Sequence, residues 1–232
     1  MQLDKQNSFK LFDEIASTYD RVNRIMTFGQ DTFWRKKLYN FIPENCENLF
    51  DGATGTADQI LFLLEKGLQA KHIVGIDLSE AMLEIGMSKI KSKYPNENIT
   101  LRKASLLDIP YNEESFDAAT VSFGVRNVPD ITLCLQELHR ILKKEGICLI
   151  LECSKPKNPL IVFLHKLYME KIMPAIGGMC SSNKGAYQYL NASSSTFPCG
   201  EDFLKLLENA GFKNCEAHPL SLGAVSLYVA RK

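Results

Sequence analysis

The first residues able to do chemistry are Asp51, Gly52, Gly55 and Thr56 in the stretch DGATGTAD, followed 26 positions after Asp51 by Asp77 at the end of HIVGID. Glycines and small residues let a backbone approach a ligand closely, and an acid closing the next strand can accept from a ribose diol. Three cofactor chemistries compete for such a loop. A nucleoside triphosphate needs G-x-x-x-x-G-K-[ST], and the stretch has no lysine. A dinucleotide needs G-x-G-x-x-G with a carboxylate about 20 residues on. Gly52 and Gly55 do not give that spacing, and the helix-facing glycine is missing. S-adenosylmethionine carries no phosphate. It needs small residues against its methionine part and ribose, and an acid after the second strand, where Asp77 stands.

A parallel sheet places such a loop beside such an acid, and the surrounding sequence has that pattern. NLFD reads as a first strand, QILFLLEKG as a helix closed by Gly67, HIVGID as a buried strand, and SEAMLEIGMSKIKSKY as a helix with Ser79 at its N-cap. ITLRKA, FDAATVSFG and ICLILEC are three further strands. ITLCLQELHRILKKEG is an amphipathic helix expected to carry Lys143 and Lys144 in its last turn. Strands alternating with helices predict right-handed βαβ units, hence an α/β fold with a mostly parallel sheet and helices on both faces. After the helix EDFLKLLENAGF, the runs FKNCEAHPL and GAVSLYVARK have almost nothing between them. That predicts a hairpin, seven strands in all, and one antiparallel strand. Two helical segments, SFKLFDEIASTYDRVNRIM and DTFWRKKLYNFI, precede the first strand. The run from Pro156 to Pro198 breaks the alternation and reads as an insertion over the carboxyl edge of the sheet.

Composition narrows the partners. With 232 residues and 45% apolar content the chain can build one sizeable core. Its 27 basic and 27 acidic residues cancel, which argues against a general polyanion binder such as a nucleic-acid protein. Seven scattered cysteines, never spaced C-x-x-C, predict neither a disulfide framework nor a zinc site, and no metal is expected. The polar start MQLDKQNSFK has no apolar core of a signal peptide, and no apolar run approaches the roughly 18 residues of a membrane span. A cytoplasmic protein is the expectation.

Motif by motif, the chain resembles the ubiquinone/menaquinone C-methyltransferase family. DGATGTAD resembles motif I of class I methyltransferases. FDEIASTYDRVNRIMTFGQDTFWR, VGIDLSEAMLEIG, TVSFGVRNVPD, LQELHRILKKEG, LILECSKP, YQYL, FP and AGF occur in the family's order, over essentially the whole chain. SFGVRNV followed by LECSKP is specific to the family. The resemblance implies a Rossmann-like class I methyltransferase fold in a single domain 1–232, with a helical cap over 1–45 and the insertion 156–199 over the active site. It places S-adenosylmethionine contacts at Thr56, Asp77, Ser105, Leu106 and Ser122, with Asp51 and Gly55 in the same loop. Two positions depart from the family. Ala57 stands where motif I ends in glycine, and Ser105 where Asp or Asn is frequent, so weaker cofactor affinity is expected.

The acceptor implied by the resemblance is a ring carbon of a polyprenylated quinol, demethylmenaquinol being favoured and a 2-methoxy-6-polyprenyl benzoquinol the alternative. Such a carbon becomes nucleophilic when the neighbouring hydroxyl ionises, and a fixed cation near that oxygen favours the anion. Arg126 is expected there. It is too basic to accept a proton itself, so its help is electrostatic. Asn127 either bonds the same oxygen or holds the arginine. Tyr19 either closes the pocket or packs as a core residue. PLIVFLHKLYMEKIMPAIGGM either lines a channel for the prenyl tail, with peripheral membrane contact, or packs on the sheet or across a homodimer interface. From another class, a cofactor-binding subunit without catalysis would also carry these motifs.

Overall fold

The computed structural model describes residue 5 and residues 7–168 and 184–232. Strands β1 (Asn48–Gly52), β2 (His72–Asp77), β3 (Ile99–Lys103), β4 (Phe116–Ser122), β5 (Leu142–Cys153), β6 (Lys213–Leu220) and β7 (Val225–Arg231) form one sheet. Its order is β3-β2-β1-β4-β5-β7-β6. β1 pairs in parallel with β2 and β4, as do β2 with β3 and β4 with β5. β7 runs antiparallel to both β5 and β6, and is the one reversed strand. The described helices are α1 (Ser8–Met26), α2 (Gln30–Lys37), α3 (Asp58–Glu65), α4 (Glu80–Lys93), α5 (Ile131–Ile141), α6 (Pro159–Leu167), α7 (Lys184–Thr196) and α8 (Glu201–Asn209).

Strand alternation splits the core into two layers. Leu49, Ile73, Ala118 and Leu149 face Leu38, Ile60, Leu63 and Ile90 from the helical side of α3 and α4. Phe50, Val74, Ala119 and Ile150 face Leu135 and Leu138 of α5 and Phe203 and Leu207 of α8. Each such fully buried large side chain is worth about 1.5–3 kcal/mol. Capping sets two helix starts: Ser79 Oγ accepts from Met82 N at 3.2 Å, and Asp130 Oδ1 from Leu133 N at 3.0 Å.

One helix end differs from expectation. α5 stops at Ile141, and Lys143 and Lys144 belong to β5. Buried Leu142 pairs with Phe116, and Lys143 Nζ reaches Asp117 Oδ1 at 2.6 Å. Sheet pairing and that ion pair outweigh the preference of lysines for a helix end. The apolar run beginning at Pro159 forms α6 as far as Leu167; its continuation over 169–183 lies outside the described residues.

The sheet order reverses between β1 and β4, and ligands of such sheets sit outside the carboxyl ends at that point. α1 crosses this crevice, held by two carboxylates. Asp13 Oδ1 accepts from Ser79 Oγ at 2.5 Å and from Ala81 N at 3.4 Å, an anion at the N-terminus of α4. Asp20 accepts from Thr56 Oγ1 at 2.6 Å and from Lys89 Nζ at 2.9 Å.

Candidate active site

Two cavities open at the crevice, and Tyr19 and Phe123 line both. The first, about 340 Å³, is walled by Phe9 and Phe12 of α1, by Ala53, Gly55 and Asp77 from the β1 and β2 ends, and by Ser105, Leu106, Ser122 and Asn127. The second, about 520 Å³, lies beyond Tyr19 and Phe123. It is lined by Met26, Trp34, Arg35, Arg126, Cys153 and Tyr168 among others.

The loop after β1 turns by left-handed backbone at Ala53 (φ 50°), Gly55 (φ 54°) and Ala57 (φ 61°). Gly55 N donates to Asp77 Oδ2 at 2.8 Å, and Ser79 N to Asp77 Oδ1 at 2.9 Å. This locks the carboxylate on the cavity wall with one acceptor site of each oxygen used. Burial raises the Asp77 pKa, and the backbone N–H groups of Ser79 and Gly55 pull it back. The loops after β1 and β4 touch: a Cβ on Gly124 would stand 2.4 Å from Ala53 Cβ, so only glycine fits there. A Cβ on Gly52 would stand 2.5 Å from Leu106 Cδ2, in the turn after β3, and would displace that side chain.

The other residues singled out by sequence divide as follows. Ser105 Oγ accepts from Leu107 N at 3.1 Å and shapes the turn after β3. Ser122 Oγ donates to Gln59 Oε1 at 2.8 Å. Thr56 and Asp51 line neither cavity. The Thr56 hydroxyl is spent on Asp20, and buried Asp51 accepts from Thr120 Oγ1 at 2.6 Å while its Oδ2 has no partner. Burial pushes the Asp51 carboxyl up to about 6. Arg126 and Asn127, adjacent in sequence, part company: Arg126 lines the second cavity and Asn127 the first. Asn127 Nδ2 donates to Phe123 O at 3.4 Å, and its buried Oδ1 has no partner.

The methyl group of Ala57 does not reach the cofactor-side cavity. Ala57 is fully buried in the core, and a Cβ on Gly86 of α4 would meet it at 3.1 Å. Its departure from glycine therefore acts on the backbone alone. Left-handed alanine costs roughly 1–2 kcal/mol, which nearly offsets a buried methyl worth about 0.8 kcal/mol. Ala57→Gly is accordingly expected to leave ligand affinity unchanged and stability within about 1 kcal/mol. A tenfold tightening of binding by calorimetry would mean that the methyl intrudes on the site after all.

Arg126 is also not a free cation. It is buried, its Nη1 donates to Glu152 Oε2 at 2.9 Å, its backbone N donates to Glu152 Oε1 at 3.1 Å, and Glu152 is fully buried on β5. Burial works to lower the Arg126 pKa, but the Glu152 carboxylate raises it overall. Burial likewise pushes up the Cys153 thiol, which accepts from Ser194 Oγ at 3.5 Å, so this cysteine stays protonated. No histidine appears among the described lining residues of either cavity.

Sequence reasoning passed over four residues here: Trp34, Arg35, Phe123 and Glu152. Trp34 Nε1 donates to Ser221 Oγ at 2.8 Å, tying α2 to the turn before β7. Phe123 has left-handed backbone (φ 60°) and two guanidiniums against its ring, Arg35 Cζ and Arg126 Cζ both 5.5 Å from its centroid. Glu152 had a visible signal, a lone acid inside the apolar strand run ICLILEC.

Comparison with known proteins bears on the whole chain. The signature of the ubiE/COQ5 methyltransferase family matches residues 1–232. The ubiquinone/menaquinone biosynthesis C-methyltransferase UbiE of Citrifermentans bemidjiense is 40% identical over 223 residues, covering 96% of this chain and 94% of that protein. The demethylmenaquinone methyltransferase of Staphylococcus carnosus is 32% identical, covering 99% and 94%. Among solved structures, a SAM-dependent methyltransferase of Thermotoga maritima superposes with a TM-score of 0.67 at 18% identity, over 97% of this chain and 99% of that one. That last likeness speaks to the fold alone.

Proposed function

The chain belongs to the ubiE/COQ5 methyltransferase family, and from that membership we propose that it methylates a ring carbon of a polyprenylated quinol, turning demethylmenaquinol into menaquinol. The observation that carries this reading is the pair of cavities meeting at Tyr19 and Phe123. Methyl transfer needs two ligands brought nose to nose, with reacting atoms about 3–3.5 Å apart.

S-adenosylmethionine supplies a methyl group on a positively charged sulfur. The residues of the first cavity fit it. Asp77 keeps an acceptor site on each oxygen for the two ribose hydroxyls. The partnerless Asn127 Oδ1 calls for a donor, and at Gly55, on the cavity wall, a Cβ would meet only Met82 Sδ at 3.9 Å, so a ligand can approach that backbone closely. Ser105, Leu106 and Ser122 complete that wall, while Asp51, Gly55 and Thr56 hold the loop in shape. We place Asn127 with the cofactor and keep Arg126 with the acceptor.

The acceptor side is apolar and bordered by Phe28 and Tyr168, where a prenyl tail could leave. Beyond it, α6 exposes Leu160, Val162, Phe163 and Leu164 next to Lys157 and Lys166. No helix among the described residues is long and apolar enough to cross a membrane. We assign this face to peripheral contact with a lipid surface. The benzoquinol substrate stays as a second reading, because the Citrifermentans relative carries both quinones in its name.

One experiment addresses all of this. Vesicles loaded with demethylmenaquinol, purified protein and methyl-labelled S-adenosylmethionine should yield labelled menaquinol, and the protein should pellet with the vesicles. Label appearing only with the benzoquinol would transfer the assignment to that ring. No label in either quinol would end the quinol reading, and protein left in the supernatant would end the membrane one.

A further inference from the structure

Buried charge is unevenly matched around the acceptor cavity. Arg126 and Glu152 form a closed pair, so together they add little net charge. Arg35, on α2, is also buried; its charge is felt by buried Asp51, yet among the described residues no carboxylate lies within ion-pair distance of it and its Nε has no partner. Its guanidinium lines the cavity beside Phe123. An arginine cannot shed its proton to escape such a place, so an unpaired buried guanidinium asks for an anion. Its backbone is pinned for the purpose. Arg35 O accepts from Gln59 Nε2 at 3.1 Å, and Gln59 Oε1 accepts from Ser122, on the wall of the cofactor cavity.

A second observation agrees. Burial pushes the Tyr19 phenol up; of the charges that pull it back, Arg35 acts first and Arg126 second. Arg35 thus acts on the residue at which the two cavities meet.

We infer that Arg35 is the residue whose positive charge holds the ionised oxygen of the acceptor ring. This rests on the quinol reading above and deepens it. The hydroxyl proton leaves to water, the oxygen keeps the electron pair, and the guanidinium stabilises the oxyanion that makes the neighbouring carbon nucleophilic. Arg126 shapes the same wall, but its charge is answered by Glu152.

The test uses 4-nitro-1-naphthol, a fused-ring phenol whose anion is coloured. An opposite charge at close range lowers such a pKa by about 1–3 units. Titrated by absorbance with saturating protein, the bound probe should show that drop with the native chain and with the Arg126→Gln/Glu152→Gln double variant. In Arg35→Gln the drop should vanish, while Arg35→Lys should keep part of it. Arg35→Met repeats the measurement in a shape suited to the Phe123 face if glutamine disturbs folding. An unshifted probe on the native chain, or a full shift in both neutral Arg35 variants, overturns the inference. Turnover of the native chain on demethylmenaquinol is read separately. If that turnover is absent while the probe shift still depends on Arg35, the quinol reading falls and the anion site stands.

Discussion

Arg126→Ala is expected to lose about 3–5 kcal/mol of stability, seen as a large fall in the urea midpoint. The reason is Glu152. This carboxylate is fully buried and accepts from Arg126 Nη1 at 2.9 Å, from Arg126 N at 3.1 Å and from Cys153 N at 3.0 Å. Truncating the guanidinium leaves it with backbone donors only and without its ion-pair partner. Arg126→Gln/Glu152→Gln removes both charges in nearly the same volume and should recover most of the loss, because a neutral pair in a buried site is often no worse than an ionic one. An Arg126→Ala protein as stable as the native one would show that Glu152 is reached by water or is protonated. The consequence for catalysis is practical. Low turnover in Arg126→Ala alone cannot be assigned to lost electrostatic help, since the wall of the acceptor cavity collapses with the pair.

The cofactor half of the site was far more legible in the sequence than the acceptor half, and the cause is physical. Asp51, Gly55, Thr56 and Asp77 lie within two neighbouring strand ends, so local pattern brings them together. Ser79 announced its cap, and it caps. The acceptor cavity draws instead on α1, α2, the turn after β4, the end of β5, α6, α7 and the turn before β7. No local rule joins elements so far apart in the chain. In FWRKK nothing local sets Arg35 apart from Lys36 and Lys37, whereas helix geometry puts it on the buried face with Asp31, Trp34 and Leu38. The resemblance implies that Asn127 bonds the oxygen beside Arg126 or holds the arginine, yet the short helical turn Val125–Asn127 sends the two to different cavities. Ala57 was read as crowding a ligand from its place in a motif. The direction of its methyl group, toward Gly86, depends on how α4 packs and is not written in the motif.

Asp77→Asn is expected to weaken cofactor binding at least a hundredfold while the protein stays folded. Both carboxylate oxygens already accept a backbone N–H, from Gly55 and from Ser79, and each has one acceptor site left for a ribose hydroxyl. The variant has one oxygen. Its amide nitrogen must face either the Gly55 or the Ser79 N–H, donor against donor, and on that side the ribose hydroxyl can only accept, through a neutral bond. Hydrogen bonds to a charged group are worth about 1.5–3 kcal/mol each and neutral ones about 0.5–1.5, so weakening both while the side chain is pushed off a backbone donor costs about 3 kcal/mol of binding. At about 1.4 kcal/mol per tenfold, that is two decades. Titration calorimetry with S-adenosylhomocysteine, which shares the ribose, reads the loss directly. pH supplies an independent check. Burial raises the Asp77 pKa, so on acidification its charged form is lost earlier than that of an exposed aspartate. Native affinity should begin to fall above the usual carboxylate range, and the asparagine variant should lack that titration. Binding by Asp77→Asn within tenfold of native, or an unchanged pH profile, would take Asp77 out of the ribose site and leave the carboxylate as only a fastener between the β1 loop and the start of α4.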